Sequence, residues 1–220
     1  MFNKMNARIV KRAIIILLFL TCSMFAQNVY ELTPGTTGNE ITITLANISS
    51  ANDADNIAVR LAKESVSLKF KTSEQQINKL TAQKETDVSF TFDVERSAPV
   101  NVQDTVEFFI SDNAGIFISR KFIFSYVAPK EYKLEQNFPN PFNPTTTIQY
   151  QLPFESRVNL KVYNILGKEV AVLVDEIQSA GFKEIKFGRN DLASGVYVYR
   201  LSASGGSGNF SSIKKMLMVK

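Results

Sequence analysis

The sequence is poor in the residues that most enzymes use for catalysis. Its 220 residues include no histidine, no tryptophan and one cysteine, Cys22. The lack of histidine excludes a Ser-His-Asp triad, a Cys-His pair and a metal site with histidine ligands. A single cysteine forms no internal disulfide, so the folded chain depends on its hydrophobic core. We therefore expect no cofactor and no bound metal ion.

Long hydrophobic runs are also scarce. The run from Ala13 to Leu20 is well short of the roughly 20 apolar residues that cross a membrane, and no later run is longer. Small and polar residues follow it up to Ala26. Four basic residues precede it: Lys4, Arg8, Lys11 and Arg12. This architecture is typical of a signal peptide, and we predict cleavage between Ala26 and Gln27, with no retained transmembrane helix.

A lipoprotein box that ends at Cys22 is the alternative, since it would place a lipidated cysteine at the mature N-terminus. Phe19 and Thr21 are unfavourable residues for such a box. With cleavage after Ala26, Cys22 leaves with the signal peptide, and the mature chain has no thiol for a disulfide, a nucleophile or a metal ligand.

The formal net charge of +4 comes entirely from the N-terminus. Four of the 25 Lys and Arg residues lie in the first 26 positions and none of the 21 Asp and Glu residues does, so the mature chain is balanced at 21 against 21. Proteins that bind nucleic acid usually carry a basic patch. We therefore expect no nucleic-acid partner.

Apolar and polar residues alternate with a period of two along most of the remaining chain, which predicts strands with one buried face. The pattern lapses at 128–136. We predict an all-β protein with two antiparallel immunoglobulin-like β-sandwich domains in tandem, at 27–127 and 137–220. A signal peptide at 1–26 precedes them, and a linker at 128–136 joins them.

The alternation assigns an inward set to each domain. The segment Ser73–Leu80 breaks it and is compatible with a helical turn or a loop. The inward positions of the first domain are Ile41, Ile43, Leu45, Val66, Leu68, Phe70, Val88, Phe90, Phe92, Val94, Val106, Phe108, Ile110, Phe122, Phe124 and Tyr126. Those of the second are Ile148, Tyr150, Leu152, Val158, Leu160, Val162, Val170, Val172, Val174, Ile185, Phe187, Tyr197, Tyr199, Leu201, Leu217 and Val219.

Oxygen-rich side chains at Asn52, Asp53, Asp55 and Asn56 suggest a Ca²⁺ loop. The EF-hand spacing and its distal glutamate are absent, so a solvated turn that uses the Asx side chains is the better interpretation.

Carboxylates and aromatics are the other candidates for chemistry in the first domain. A carboxylate-based hydrolase needs two acids in one cleft, and the acids here occupy polar strand positions and loops. A carbohydrate-binding module needs a flat pair of exposed aromatics. The acids are Glu64, Glu74, Asp87, Asp93 and Asp104, and the aromatics are Tyr30, Phe109, Phe117 and Tyr126.

The run Ile41–Asn47, followed by Ile57, Val59 and Leu61, resembles the opening of immunoglobulin-like modules of bacterial surface proteins. The resemblance implies a module that holds or presents something.

A second resemblance rests on ordered blocks between 132 and 220, which look like the C-terminal sorting domain of the type IX secretion system. The spacing of the blocks is compatible with that family, and they end at the C-terminus. The blocks that carry it are Asn140–Ile148, Leu152–Pro153, Val162–Val170, Ala180–Gly181, Leu192–Tyr199 and Lys214–Met216. The residues singled out within them are Asn140, Pro141, Phe142, Asn143, Pro144, Gly167, Gly195, Val196, Tyr197, Lys214, Lys215 and Met216.

This resemblance implies a route of export from a diderm bacterium of the Bacteroidetes or a related lineage. The signal peptide takes the chain to the periplasm. The outer-membrane translocon then recognises the folded sorting domain, and a sortase-like protease removes it in or just before the linker. The cargo is joined to surface lipopolysaccharide or released.

Most motif residues also have a packing interpretation, in which the prolines fix the lead-in to a strand and Gly195 and Tyr197 serve a turn and the core. Lys214 and Lys215 are either solvated or in contact with the translocon. For the cargo we expect a non-enzymatic spacer, adhesion or assembly module at the cell surface or in the medium. A carbohydrate-binding module and a small carboxylate-based hydrolase are the alternatives.

Overall fold

A computed structural model describes residues 10–16, 29–115, 117–189, 191–206 and 208–220. The chain divides into two compact units. Unit 1 comprises the residues up to Glu95 together with Asn101–Tyr126, and unit 2 comprises Arg96–Val100 and Val127–Lys220. All the regular secondary structure within the described ranges is β-strand, which confirms the all-β prediction.

The predicted signal peptide is described only in part. Cys22 and the predicted cleavage site between Ala26 and Gln27 lie outside the described residues. The described ranges contain no helix with the length and hydropathy of a membrane span.

Unit 1 is built from two sheets. Its strands are β1 Val10–Ile16, β2 Val29–Leu32, β3 Asn39–Ala46, β4 Ala54–Lys63, β5 Leu68–Phe70, β6 Glu74–Leu80, β7 Glu85–Val94, β8 Gln103–Ser111 and β9 Phe117–Tyr126. One sheet has the order β1-β3-β7-β5 and the other β2-β9-β8-β4-β6. The pairs are antiparallel, apart from β1 on β3 and β2 on β9, which are parallel.

Phenylalanine side chains dominate the core of unit 1. Phe90 and Phe108 are fully buried and their ring centroids are 4.7 Å apart, while Phe122 meets the Phe108 ring edge-on at 5.8 Å. Alternation along the strands brings these rings to the inner faces of both sheets. The predicted inward residues of β3, β7, β8 and β9 are all buried.

Two predictions for unit 1 were wrong. Val66 is 96% exposed, because it lies in the turn before β5 rather than on the strand itself. The segment Ser73–Leu80 is not helical, since Glu74–Leu80 forms β6 and pairs with β4. β6 is an edge strand with mostly polar side chains, so backbone pairing rather than apolar alternation defines it.

Unit 2 also consists of two sheets. Its strands are β10 Lys133–Leu134, β11 Thr145–Leu152, β12 Ser156–Asn164, β13 Glu169–Gln178, β14 Gly181–Gly188, β15 Gly195–Gly205 and β16 Gly208–Met218. The sheet orders are β10-β11-β14 and β13-β12-β15-β16, and all pairs are antiparallel. β10 lies within the segment that the sequence assigns to the linker.

The core of unit 2 contains most of the predicted inward residues. At the end of β16, however, the residues that face the core are those that the sequence assigned to the outer face. Leu217 and Val219 are 38% and 41% exposed, whereas Met216 and Met218 are buried. The terminal strand has apolar residues at both parities, and a shift of one residue exchanges the two faces. The prediction for Leu217 and Val219 was therefore wrong.

Val172 on β13 was also assigned to the wrong side, since it is 49% exposed. Leu160 pairs with Val174, and the next residue, Lys161, pairs with Val172. This register shift is a bulge, which interrupts the period of two along the strand.

Two valines with opposite environments provide a test of the core of unit 1. Val106 is fully buried, so Val106→Ala removes two buried methyl groups and leaves a cavity, and we expect a loss of about 2 kcal/mol in the free energy of unfolding. Val66→Ala is the matched control, for which we expect a change within about 0.5 kcal/mol. Chemical denaturation measures both. Equal losses would contradict the assignment of Val106 to the core.

Candidate functional site

Most of the singled-out motif residues of unit 2 meet at one end of the β13-β12-β15-β16 sheet. Asn164 at the end of β12 pairs with Tyr197 on β15, and Gly195 at the start of β15 pairs with Met218 at the end of β16. Phe142 forms a parallel bridge with Met218. We call this region the motif end, comprising residues 140–144, 164–168, 194–197 and 216–220.

The Asn140–Pro144 segment holds the last residues of β16 in place. The Phe142 N–H donates to the Leu217 carbonyl at 2.9 Å, and the Val219 N–H donates to the Phe142 carbonyl at 3.0 Å. The Asn140 side-chain Oδ1 accepts the Leu217 N–H at 2.9 Å. Because the Phe142 side chain is also buried, the segment is attached both to the core and to the edge of β16.

A buried network of polar groups on Asn137, Pro139 and Thr146 holds this segment in place. Asn137 Nδ2 donates to the Pro139 carbonyl at 3.0 Å and to Thr146 Oγ1 at 2.9 Å, and Thr146 Oγ1 donates to the same carbonyl at 2.8 Å. The Phe138–Pro139 and Asn140–Pro141 peptide bonds are cis. With its donors and acceptors satisfied, the network fixes the path of the chain into the motif end.

Tyr199 connects that network to the centre of the sheet. Its hydroxyl donates to the Glu135 carbonyl at 2.8 Å and accepts the Asn137 N–H at 2.8 Å. Burial raises the pKa of Tyr199 to about 12, so the phenol keeps its proton and remains a donor at neutral pH.

The loop between β12 and β13 is a tight turn. The Asn164 side-chain Oδ1 accepts the N–H groups of Leu166 and Lys168, both at 3.0 Å. Gly167 has φ of +77°, which a residue without Cβ adopts at no steric cost. The turn leaves Ile165 and Leu166 at its tip, 75% and 86% exposed.

The motif blocks of β15 and β16 each have a buried side and an exposed side. Tyr197 and Met216 are opposite one another and buried, and the Tyr197 hydroxyl donates to the Ala193 carbonyl at 2.8 Å. Val196, on the outer face, is opposite Leu217. Lys214 is partly buried, while Lys215 is exposed and its carbonyl accepts a hydrogen bond from Gln136 Nε2 at 2.7 Å.

Five exposed apolar side chains lie together at the motif end, and other exposed apolar residues of unit 2, such as Phe138 and Phe154, lie outside it. Folded monomers seldom collect such residues without a partner, so this end has the character of a binding surface rather than a reaction centre. The side chains are Ile165 (75% exposed), Leu166 (86%), Val196 (43%), Leu217 (38%) and Val219 (41%).

Several residues of this site were missed by sequence reasoning. The proline-rich run indicated a turn, but no pattern indicated that Asn137 and Thr146 form its support. Tyr199 was assigned only to the core. The exposure of Leu217 follows from the strand register, which has no local signal in an apolar sequence.

In unit 1, the oxygen-rich loop is occupied by internal contacts. Asp53 Oδ2 is 2.7 Å from Lys79 Nζ, and Oδ1 accepts the Ala82 N–H at 2.9 Å. The hydrogen bond from Lys79 is the main reason that the pKa of Asp53 lies below its ordinary value. Among the described residues, no group of three or more His, Cys, Asp and Glu side chains is placed to hold a metal ion.

The acids of unit 1 are engaged by neighbouring groups. Asp93 Oδ2 lies 2.8 Å from Lys71 Nζ, and this hydrogen bond is the main cause of a lowered Asp93 pKa. The pKa of Glu74 is lowered chiefly by a hydrogen bond from Gln76 and then by one from Arg60. A general acid needs the opposite shift.

Asp87 and Asp104 accept hydrogen bonds from neighbouring hydroxyl groups. Asp87 Oδ1 accepts the Thr44 hydroxyl at 2.5 Å. Asp104 Oδ2 accepts the hydroxyls of Ser65 and Tyr126. Glu64 is exposed.

Of the aromatic candidates, Phe109 and Phe117 are neighbours. Their ring centroids are 4.7 Å apart with an interplanar angle of 59°, and Phe117 is 64% exposed. Tyr126 is buried, and Tyr30 packs on Phe122 and Phe124 at 6.1 and 6.0 Å. The pair is therefore tilted rather than flat, and Phe109 is half-buried.

Comparison with solved structures gives several distant likenesses. One is dimeric latent PorU from Porphyromonas gingivalis, at 18% identity over 91% of this chain and 20% of that chain, with a TM-score of 0.34. Another is the YadV chaperone, at 11% identity over 86% of this chain and 96% of that chain, with a TM-score of 0.30. A third is the Pseudomonas aeruginosa CupB2 chaperone, at 10% identity over 89% of this chain and 98% of that chain, with a TM-score of 0.29. This chain spans a fifth of the PorU chain, and TM-scores this low carry no conclusion. No curated protein matches the sequence.

The comparison with family models covers the C-terminal part of the chain. Residues 136–218 match the model described as "Secretion system C-terminal sorting domain". The matched region contains all the motif blocks singled out in the sequence, and it begins within one residue of the buried Asn137. A domain of this kind directs its protein by type IX secretion across the outer membrane, to the cell surface or the extracellular space. Residues 136–218 of this chain are a type IX secretion C-terminal sorting domain.

Proposed function

We propose that this protein is a non-enzymatic module of the cell surface or medium, and that the motif end of unit 2 is the surface by which the translocon recognises it. The observation that carries the proposal is that four motif blocks, at 140–144, 164–168, 194–197 and 216, meet at one end of one sheet, whereas Lys214 and Lys215 lie further along β16 and Gly181 pairs with Leu152 elsewhere in the domain. Blocks that are up to about 75 residues apart in sequence, such as Phe142 and Met218, are in backbone contact there. Their shared location supports a single docking event on a folded domain.

The motif end combines a fixed frame with exposed apolar contacts. Phe142, Tyr197 and Met216 are buried and hold the frame, whereas Ile165 and Leu166 extend into solvent. A partner that covers these side chains gains free energy from apolar burial, and a rigid frame reduces the entropy lost on docking. Recognition then requires the folded domain, because the contacting residues come from separate strands.

We propose that a sortase-like protease of the secretion system removes unit 2 near its start. Between Val127 and Gln136, Lys130 and Glu131 form the longest exposed stretch, while Pro129 and Leu134 are buried. A protease needs an exposed and extended segment, so Lys130–Glu131 is the favoured region for cleavage. The cargo is then attached to surface lipopolysaccharide or released.

For unit 1 we propose a spacer, adhesion or assembly role. The lowered pKa values of Asp53, Glu74 and Asp93 suit structural ion pairs and hydrogen bonds rather than acid catalysis. The tilt of the Phe109–Phe117 pair disfavours the flat platform of a carbohydrate-binding module. Both features support a role in holding or presenting.

The tip of the β12–β13 turn offers a test of translocon recognition. We expect the double variant Ile165→Ser/Leu166→Ser to fold normally, because both side chains are mostly exposed, and to accumulate in the periplasm because its apolar contact is lost. Fractionation followed by immunoblotting measures the distribution. Ile177→Ser is the matched control, since Ile177 is 65% exposed and pairs with Arg157 at the opposite end of the same sheet. Normal export of the double variant would contradict this role for the turn.

Removal of unit 2 after export is tested by the intact mass of the protein recovered from native cells and medium. We expect a species that begins at Gln27 and ends near Lys130, free or with the added mass of a glycolipid. Recovery of a species that still contains Lys220 would mean that unit 2 stays as a working part of the exported protein.

A further inference from the structure

The sheet β1-β3-β7-β5 of unit 1 includes a strand that removal of the predicted signal peptide takes away. β1 is formed by Val10–Ile16 and pairs in parallel with the whole of β3, from Val10 opposite Glu40 to Ile16 opposite Ala46. β1 lies inside the segment proposed as the signal peptide. This inference rests on the proposed function, because it requires that residues 1–26 are removed during export. Their removal leaves β3 as the edge of a sheet β3-β7-β5.

The hydrogen-bonding side of each β3 residue follows from the register with β7. The Asn47 N–H donates to the Lys84 carbonyl at 2.9 Å, next to the Ala46–Glu85 pair that closes the ladder. Backbone groups alternate in direction along a strand, so the odd-numbered residues bond β7. The even-numbered residues point their N–H and C=O groups to the edge, and these are Glu40, Thr42, Thr44 and Ala46.

The edge of β3 lacks the features that usually protect edge strands from pairing, which are lysine, proline, bulges and short length. β3 has eight residues, Asn39 to Ala46, with no lysine and no proline, and its ladder with β7 has no register shift. By contrast, β5 has three residues, and the edge strand β6 is mostly polar with Lys79 near its end. β3 is therefore the one long and regular edge that signal removal leaves among these strands, and Glu40 is its only charged residue.

A small pocket lies beside β3. A cavity of about 20 Å³ lies where β2 and β3 face one another across the sandwich. Its walls include Ile41 of β3 and the rings of Phe92, Phe122 and Phe124. A volume of this size accommodates a small group.

We propose that unit 1, once the signal peptide is removed, accepts an extended apolar strand from another exported protein along β3. The incoming strand runs parallel to β3 and takes the place of β1. The occupant is inferred from β1 itself, which fills the site with the sequence Val-Lys-Arg-Ala-Ile-Ile-Ile and pairs over seven residues. Backbone pairing supplies the affinity and the apolar side chains supply the preference. This assigns the cargo a role in assembly by strand addition.

The parallel register also specifies which groups of the incoming strand are used. In a parallel pair, a residue whose backbone groups point at the neighbouring strand does not bond the residue directly opposite. Its N–H donates to the carbonyl of the residue before that one, and its carbonyl accepts the N–H of the residue after it. Because Thr42 is opposite Arg12, the bonding residues of the strand are Lys11 and Ala13, and the next is Ile15. N-methylation at Ala13 and Ile15 therefore blocks pairing, whereas N-methylation at Ile14 and Ile16 leaves it intact.

Titration of the purified chain 27–220 with a peptide of residues 10–16 tests the proposal. We expect saturable binding by calorimetry, and slower amide hydrogen exchange at Thr42, Thr44 and Ala46, whose N–H groups donate to the carbonyls of Lys11, Ala13 and Ile15 in this register. The peptide methylated at Ala13 and Ile15 should not bind, and the one methylated at Ile14 and Ile16 should. The full precursor, whose edge is occupied by β1, should bind the unmodified peptide much more weakly than the chain 27–220.

A matched pair of variants locates the binding to the edge. Thr42→Pro removes one outward N–H and no bond to β7, so we expect affinity for the peptide to fall about tenfold. Thr42→Val keeps the N–H, loses the same contact between Thr42 Oγ1 and Ser89 Oγ, and should bind like the unchanged chain. Thermal unfolding checks that both variants fold.

Three results would overturn the proposal: no binding by the chain 27–220, equal binding of the two methylated peptides, or self-association of the chain through β3 in analytical ultracentrifugation. The assay contains no secretion apparatus. Its failure is therefore distinguishable from a failure of the sorting-domain tests, which measure export of the same chain in cells.

Discussion

The end of β16 is held from both sides by backbone hydrogen bonds, and the geometry of the sorting domain depends on this arrangement. β15 pairs with β16 along its whole length, and Phe142 adds a second partner at Leu217 and Val219. Asn140 contributes a side-chain acceptor to the same strand. Since Phe142 is also buried in the core, the end of β16 has backbone partners on both sides, as an inner strand does. A flexible terminus would leave the motif blocks without a common surface.

The two units solve the problem of the exposed sheet edge differently. In unit 2, the edge of β16 is closed near the C-terminus by the Asn140–Pro144 segment. In unit 1, β3 is closed by β1, a strand within the segment proposed to be removed during export. The same physical requirement, that backbone donors and acceptors be paired, therefore yields a fixed surface in one unit and an acceptor site in the other.

The inner strands were predictable from the sequence because two constraints, a neighbouring strand on each side and one face in the core, leave a local pattern in the chain. A strand such as β7 or β12 has neighbours on each side and one face in the core, so apolar residues recur at every second position. Prediction was wrong where one constraint is missing or relaxed. β6 has a single neighbour and polar side chains, Val66 lies in a turn, and Val172 follows a bulge. For β6 and Val172 the deciding contact is with another strand, whereas Val66 is exposed because the turn before β5 takes it off the sheet.

The sequence by itself determined the all-β class, the alternation of the inner strands, the N-terminal export signal as a prediction, and the motif blocks of the sorting domain. These depend on local composition, spacing and turn chemistry. Only the tertiary structure decided that Asn140 and Phe142 pair with the terminal strand, and that Leu217 faces solvent while Met218 faces the core. The physical reason is that β-sheet pairing joins residues far apart in the chain, and its register is set by the partner strand rather than by the strand itself.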